Sequence, residues 1–489
     1  MILRLPVVLI LAFGMLLFAA NVQAQDPKPL TQLRSSNGLL STTLVAQDGK
    51  IRVGDLELDG VTFNGDYAGP VLRLHPGDLL RIRLVNHLSQ PTNLHFHGMR
   101  SSPLGDGDNA HLLIQPNETF NYEVRIPPTQ PLGLYWYHAH AHHFADHQTM
   151  GGLTGTIVIE GTLPPPVKER LFVLKDIVFD DDIGNGEIDD TLHGIVQSVN
   201  GHLTANEVMR PGETQFWRFT NQSANRLLHI ALTGHRFRIV GQDGEPSAIV
   251  DPVDQLDIPP GSRFDVLVES GPAGRYKMLV KGLMTGAGSA RSLDRTIATL
   301  DVGGEPVAGV APIKVNPLPA DLRTMAIDAV RTVAFTETTT TKSGEQQFFL
   351  NGKVFAADRI DVRVPLGNIE EWTIRNDSDD IHVFHIHQIG FQVVEVNHQP
   401  VAFTGYIDNV LIPERGEVKL RMPFTGRLIL GRFMFHCHVL KHEDGGMMAN
   451  IEIYDPTPTT FTVRLTRLYF HLLWWWHGVP WSQCGLSEV

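Results

Sequence analysis

The run Phe435-His436-Cys437-His438-Val439-Leu440-Lys441-His442-Glu443-Asp444-Gly445-Gly446-Met447 gathers the residues of this chain best able to do redox chemistry. One thiol stands between two imidazoles, and a third imidazole and a thioether follow a few residues on. Two His, one Cys and a weak axial Met are the ligand set of a blue copper centre, which passes single electrons. In extended backbone successive side chains point to opposite faces. Cys437 would then serve one metal while His436 and His438 face another, with a short covalent path from sulfur through backbone to imidazole. A buried, inert thiol in a His-rich loop is the plain alternative; the complete ligand spacing argues against it.

A strand end of this kind needs a frame. Short alternating apolar runs such as Val71-Leu72-Arg73-Leu74, Leu80-Arg81-Ile82-Arg83-Leu84-Val85 and Glu371-Trp372-Thr373-Ile374-Arg375 predict all-β sandwiches. The chain also repeats itself. Phe63-Asn64-Gly65, Val199-Asn200-Gly201 and Leu350-Asn351-Gly352 each precede a strand pair that ends in Leu84-Val85-Asn86, Phe219-Thr220-Asn221 and Ile374-Arg375-Asn376. Three copies of one sandwich account for this.

Counting from those asparagines, nine and eleven steps beyond Asn86 reach His95 and His97, and the same steps beyond Asn376 reach His385 and His387. Five and seven steps beyond Gly133 reach His138 and His140, and beyond Gly431 they reach His436 and His438. The middle copy offers Ile230 and Leu232 at the first place and, counted from Gly274, Leu279 and Lys281 at the second. His229, one position off, is expected to be structural, because a one-residue shift turns a strand side chain to the other face. Ligands at two equivalent places in the outer copies suit a metal cluster clasped between the first and third. The first copy carries Thr92, Ala139 and Phe144 where the third carries His382, Cys437 and His442, so a mononuclear site belongs to the third alone.

The length of 489 residues suggests roughly three domains, and a hydrophobic content of 42% gives each a core. A formal charge of −13 argues against a nucleic-acid partner. Arg4, the apolar run Leu5 to Ala20 and Val22-Gln23-Ala24 read as a signal peptide over 1–24, hence export to the periplasm or secretion. The run is short for a bilayer span, so no transmembrane segment is expected in the mature chain. Domain boundaries are expected at 25–162, 163–311 and 312–455, with proline-rich joints at Pro164-Pro165-Pro166 and around Pro312, Pro317 and Pro319. A non-core extension over 456–489 carries Trp474-Trp475-Trp476 and Cys484. No disulfide is expected, since pairing Cys437 with Cys484 would remove the metal thiolate.

The motifs His95-Phe96-His97-Gly98, His138-Ala139-His140, His382-Val383-Phe384-His385-Ile386-His387 and His436-Cys437-His438 with His442 and Met447 resemble those of the multicopper oxidases, particularly three-domain bacterial laccase-like members. The resemblance spans about Gly38 to Tyr454. It implies an all-β fold of three consecutive cupredoxin-like Greek-key β-sandwich domains and four copper ions. Type 1 copper would take His382, Cys437 and His442 with axial Met447; type 2, His95 and His385; the type 3 pair, His97, His138, His140, His387, His436 and His438. The implied partners are a small-molecule reducing substrate, a phenol or aromatic amine, and O2. Glu443 resembles an acid that moves protons toward the oxygen site. Asp108, in preference to Asp106, resembles the acid near type 2 copper.

Substrate is expected where a type 1 histidine edge nears solvent. Asp379 and Asp380, just before His382, are candidate proton acceptors there, with a solvated turn as the plainer reading. Oxidation of cuprous ion is the alternative activity, and copper binding without turnover the alternative of another class. Only 12 Met are present, with no dense run near the site, which favours an organic substrate. His142, His143 and His147 read as loop residues or as partners of the ligands. His111 and His398 have no matching partners in the repeat and receive no role.

Overall fold

Alternation sets the strands and the repeat sets their number. In Leu79–Asn86, Leu80, Ile82 and Leu84 turn inward while Arg81 and Arg83 face solvent, and Trp372 and Ile374 do the same in Ile369–Asn376. The computed structural model describes residues 29–161, 167–178, 195–248, 251–281, 294–308, 317–339 and 346–457. The signal-peptide stretch, the Pro164 to Pro166 and Pro312 joints, and the Trp-rich extension with Cys484 lie outside them.

The described strands form six sheets that pair into three sandwiches. In the first, a four-stranded sheet centred on Leu39–Val53 and Leu79–Asn86 faces a five-stranded sheet that carries His95–His97 beside Gly133–His138. The middle and third sandwiches each pair a six-stranded with a five-stranded sheet, and their strand orders correspond strand for strand. Each has its own core: Phe63, Phe96, Tyr122 and Tyr137 in the first; Phe172, Trp217, Phe219 and Phe264 in the middle; Phe335, Trp372, Phe384 and Phe435 in the third.

The residues that signal the repeat do the same work in every copy. Asn64, Asn200 and Asn351 have φ of 61°, 52° and 50°, each followed by a glycine with positive φ, the pairing that a tight Asn-Gly turn requires. Asn86, Asn221 and Asn376 each donate two side-chain hydrogen bonds, to Gln90 and Ile114, to Arg226 and Ile258, and to Asp380 and Pro413 carbonyls. Each also accepts from the amide two residues on. These bonds pin the start of the strand that follows, which is the strand that carries the histidines.

In one respect the structure corrects the count. In the middle copy Leu228, Ile230 and Leu232, at odd steps beyond Asn221, face the core, whereas in the outer copies the core is filled from even steps beyond the asparagine, by Leu94 and Phe96 and by Phe384 and Ile386. The middle strand has slipped by one residue, and the strand beyond its partner carries an extra residue, Ile297, opposite Met278 and Leu279. His229 and Ala231, rather than Ile230 and Leu232, therefore occupy the face that bears ligands elsewhere. His229 is bonded there to Asp257 on the neighbouring strand.

Candidate metal centre

Three side chains converge at the end of the third sandwich. His382 comes from the strand His382–Ile386, Cys437 from Gly431–Cys437, and His442 from the short helix Leu440–Asp444. The Cys437 Sγ lies 3.6 Å from His382 Nδ1 and 3.7 Å from His442 Nδ1, and the two nitrogens are 3.1 Å apart. A point inside this triangle lies roughly 2 Å from each corner, the bond length of a first-row metal ion to nitrogen or thiolate. Met447 is fully buried in the same core cluster; its carbonyl accepts from the Cys437 amide and its amide donates to the His442 carbonyl. Ser378 Oγ stands 2.8 Å from His382 Nε2 and donates to Asn376, so the ring proton sits on Nε2 and the Nδ1 lone pair faces the sulfur. Burial pushes the Cys437 thiol up to about 12, so a metal cation rather than solvent must draw off its proton.

The remaining eight motif histidines meet between the first and third sandwiches, all of them buried. His140 Nε2 of the first stands 3.2 Å from His436 Nε2 of the third, which is 3.1 Å from His387 Nε2. His97 Nδ1 of the first is 3.2 Å from His438 Nε2 of the third. His95 and His385 hold their Nδ1 protons on Asp108 and on the Asp408 carbonyl, at 3.0 and 2.8 Å, which leaves two buried Nε2 atoms without a partner. His138 Nε2 is likewise unpartnered, its Nδ1 donating to the Ala139 carbonyl. Burial, reinforced by the neighbouring rings, pushes these imidazoles below their ordinary range, so they present neutral lone pairs. Orphaned lone pairs aimed at common points are what a set of imidazole-bound metal ions would satisfy.

Two carboxyls touch this cluster. Asp108 grips His95 Nδ1 with both oxygens, accepts from the Phe96 amide, and is held by Gln388 Nε2 at 3.0 Å. Glu443 is fully buried, with its oxygens 3.0 Å from His436 Nδ1 and 3.5 Å from His140 Nε2. Burial pushes each up to about 7, the range in which a carboxyl can both give and take a proton.

Elsewhere the geometry differs from expectation. His382 is fully buried while His442 is half-buried, so the solvent edge of the mononuclear site is His442 and not the Asp379-Asp380 side. Asp379 is an exposed partner of Arg415. His143, with a φ of 71°, lies against His142, and its amide donates to Asp444 at 2.7 Å across the border between the first and third sandwiches. His398 pairs with Glu417 at the surface. Four residues escaped sequence reasoning: Ser378, Gln388, Asp408 and Arg263. Only Ser378 had a signal, as the second residue beyond a repeat asparagine.

Among the described residues no helix is long and apolar enough to cross a membrane, and Cys437 is a free, buried thiol. Models of multicopper oxidase domains match residues 46–163, 135–305 and 328–456. The chain is 26% identical over 453 residues to the multicopper oxidase mco of Staphylococcus haemolyticus, covering 87% of this chain and 91% of that one. It is also 26% identical over 481 residues to the cell division protein FtsP of Xenorhabdus nematophila, covering 91% and 96%. Among solved structures, a Campylobacter jejuni multicopper oxidase described as a metallo-oxidase superposes with a TM-score of 0.76 at 26% identity, covering 87% and 94%. A laccase-like oxidase of Ochrobactrum sp. superposes with 0.73 at 26%, covering 88% and 100%. With matching domains along most of its length and buried imidazoles and a thiol converging where copper would bind, the chain belongs to the multicopper oxidases, oxidoreductases that use dioxygen.

Proposed function

We propose that this protein is a laccase-like oxidase of phenols and aromatic amines, exported from the cytoplasm and carrying one type 1, one type 2 and two type 3 copper ions. His382, Cys437, His442 and Met447 would hold the first, His95 and His385 the second, and His97, His138, His140, His387, His436 and His438 the pair. When bound, copper supplies single-electron acceptance at the Cys437 site and four-electron reduction of dioxygen to water at the cluster. The chain supplies the rest. Cys437 hands electrons to the backbone between His436 and His438, and its carbonyl accepts from His436 Nδ1 at 2.9 Å, a second link to the cluster. Glu443, against His436 and His140, and Asp108, against His95, hold protons on the two sides at which water must form.

The observation that supports an organic donor is the half-buried His442 edge. Phe348 stacks on this ring with centroids 4.3 Å apart, and the exposed Val354 packs on Gly446 beside it. An aromatic donor can lie against such a rim, where overlap rather than ligation carries the electron.

One feature favours the second reading, oxidation of a cuprous or other low-valent metal ion. Glu337 lies among Asp380, Asp379 and Ser378, the residue bonded to His382, and burial together with those two carboxylates pushes it up to about 7 against the opposing pull of Arg415. A concentrated negative charge attracts cations. Oxygen uptake measured in parallel with a phenol and with Cu(I) separates the readings. Tighter saturation and faster turnover with the phenol is expected; the reverse ranking would replace the organic donor with a metal ion. Copper binding without any oxygen uptake would return the chain to a non-catalytic role.

A further inference from the structure

The middle sandwich contributes none of the motif histidines, yet its loop before the strand Arg263–Glu269 reaches the cluster. Arg263 is fully buried. Its Nη1 and Nη2 donate to the two oxygens of Asp408, both at 2.7 Å, its Nε to the Leu134 carbonyl at 3.1 Å, and its Nη1 also to the Gly261 carbonyl at 3.2 Å. Leu134 belongs to the first sandwich, Arg263 to the middle one and Asp408 to the third. One guanidinium thus ties all three together. Asp243 accepts from the Arg263 amide at 2.9 Å and lies 3.5 Å from Nη1, so the arginine stands between two acids.

Asp408 in turn faces the cluster. Its Oδ1 is 3.1 Å from His97 Nε2 and its carbonyl accepts from His385 Nδ1 at 2.8 Å. His97 consequently differs from its fellows. Nε2 is the partner-free atom in His95, His138 and His385 and the atom that meets a neighbouring ring in His140, His387, His436 and His438, although Nδ1 of His140, His387 and His438 is without a partner as well; in His97 the atom that meets a neighbouring ring is Nδ1, 3.2 Å from His438 Nε2. A neutral imidazole carries one proton; with Nε2–H donating to Asp408, the Nδ1 lone pair is free. The backbone leaves room for this. Gly98, with φ of 80°, follows His97, and any Cβ there would strike both the guanidinium and the Asp408 carboxylate. A Cβ on Gly261 would meet the His438 ring.

We infer that Arg263, from the sandwich without motif histidines, is a positioning residue for the copper cluster. By holding both oxygens of Asp408 in one plane it fixes His97 as an Nδ1 ligand and orients His385. The inference rests on the copper reading proposed above. A lysine could supply the charge, but not the planar fork that sets two oxygens at once. A carboxylate left unpaired at this depth would be strongly unfavourable and would swing or take up a proton, releasing His97.

The test compares the purified copper-loaded wild type with Arg263→Lys and with Arg263→Gln/Asp408→Asn, an uncharged pair whose Asn side-chain oxygen still accepts from His97. The readouts are copper per chain by metal analysis, the visible thiolate absorption as an internal report on the distant mononuclear site, and thermal unfolding of the metal-free proteins. Arg263→Lys is expected to weaken cluster copper about 10- to 100-fold with the thiolate absorption per chain unchanged, and the double variant to recover most of the cluster copper. Cluster copper at the wild-type level in Arg263→Lys would overturn the inference. So would loss of the thiolate absorption and of metal-free stability in step with cluster copper, which would mark a general role in folding. A wild type that binds no copper would instead overturn the proposed function itself.

Discussion

The first and third sandwiches make the same turn out of the strands that carry their second histidine pairs, and only the third ends in a triangle of one thiol and two imidazoles that could hold a metal ion. The Phe144 amide donates to the Ala141 carbonyl and the His442 amide to the Val439 carbonyl, each at 2.9 Å. The Ala139 amide donates to the Leu153 carbonyl at 3.2 Å and the Cys437 amide to the Met447 carbonyl at 3.1 Å. Thr92 pairs with Ile114 across the neighbouring strand as His382 pairs with Ile412. So Thr92, Ala139, Phe144 and Leu153 occupy the stations of His382, Cys437, His442 and Met447. The frame is shared; the chemistry is four side chains. What both copies keep is the histidine pair on the outward face, because the cluster needs one half from each.

The comparison can be broken most forcefully at the shared face. His436→Ala removes a ring that meets both His140 and His387, and oxygen uptake should fall to background while the visible thiolate absorption persists. Glu443→Gln should lower turnover by about 100-fold or more, as loss of a positioned acid does, without slowing the bleaching of the thiolate absorption by a phenol under anaerobic conditions. Ser378→Ala, confined to the third copy, should weaken copper at the mononuclear site by about 10-fold and leave the cluster loaded.

In the metal-free protein Glu443 is raised above the ordinary carboxylate range, so the folded chain binds more protons than the unfolded one between the two values. Its contribution is fully favourable at low pH and is lost as pH rises toward about 7. Metal-free Glu443→Gln should therefore exceed the wild type at pH 8 by on the order of 3 kcal/mol, a gap that closes toward pH 4; chemical denaturation at the two pH values checks it. The smallest expected signal sharpens the comparison from the other side. Thr92→His, Ala139→Cys, Phe144→His and Leu153→Met together should restore a weak thiolate absorption to a chain in which Cys437 is replaced by Ser.

Much of this was legible because the ligands lie on strands anchored to the repeat asparagines. A fixed count from Asn86 or Asn376 reaches a histidine pair only because the same side-chain bonds start each strand in the same place. The count failed where that spacing changed. One residue more before the middle strand, where Leu228 pairs with Ile258 as His382 pairs with Ile412, moved Ile230 and Leu232 into the core, and a longer helix, Ala145–Gly151 against Leu440–Asp444, hid the match of Leu153 to Met447. Asp408 and Arg263 were out of reach for another reason. The Asp408 carboxylate meets His97 and Arg263, each more than a hundred residues away in the chain, and neither Asp408 nor Arg263 lies in a motif. Which of the two thiolate-side histidines meets solvent is likewise a matter of how loops close over the sandwich, and His442 rather than His382 is the answer.

The central claim, that one thiolate site in the third sandwich feeds a cluster shared with the first, is tested most directly by copper analysis and a visible spectrum of the wild type beside Cys437→Ser. Four coppers and an intense thiolate absorption in the wild type, against three coppers and no such absorption in the variant, are the expected results. An absorption that survives the substitution, or a variant stripped of all its copper, would contradict the claim.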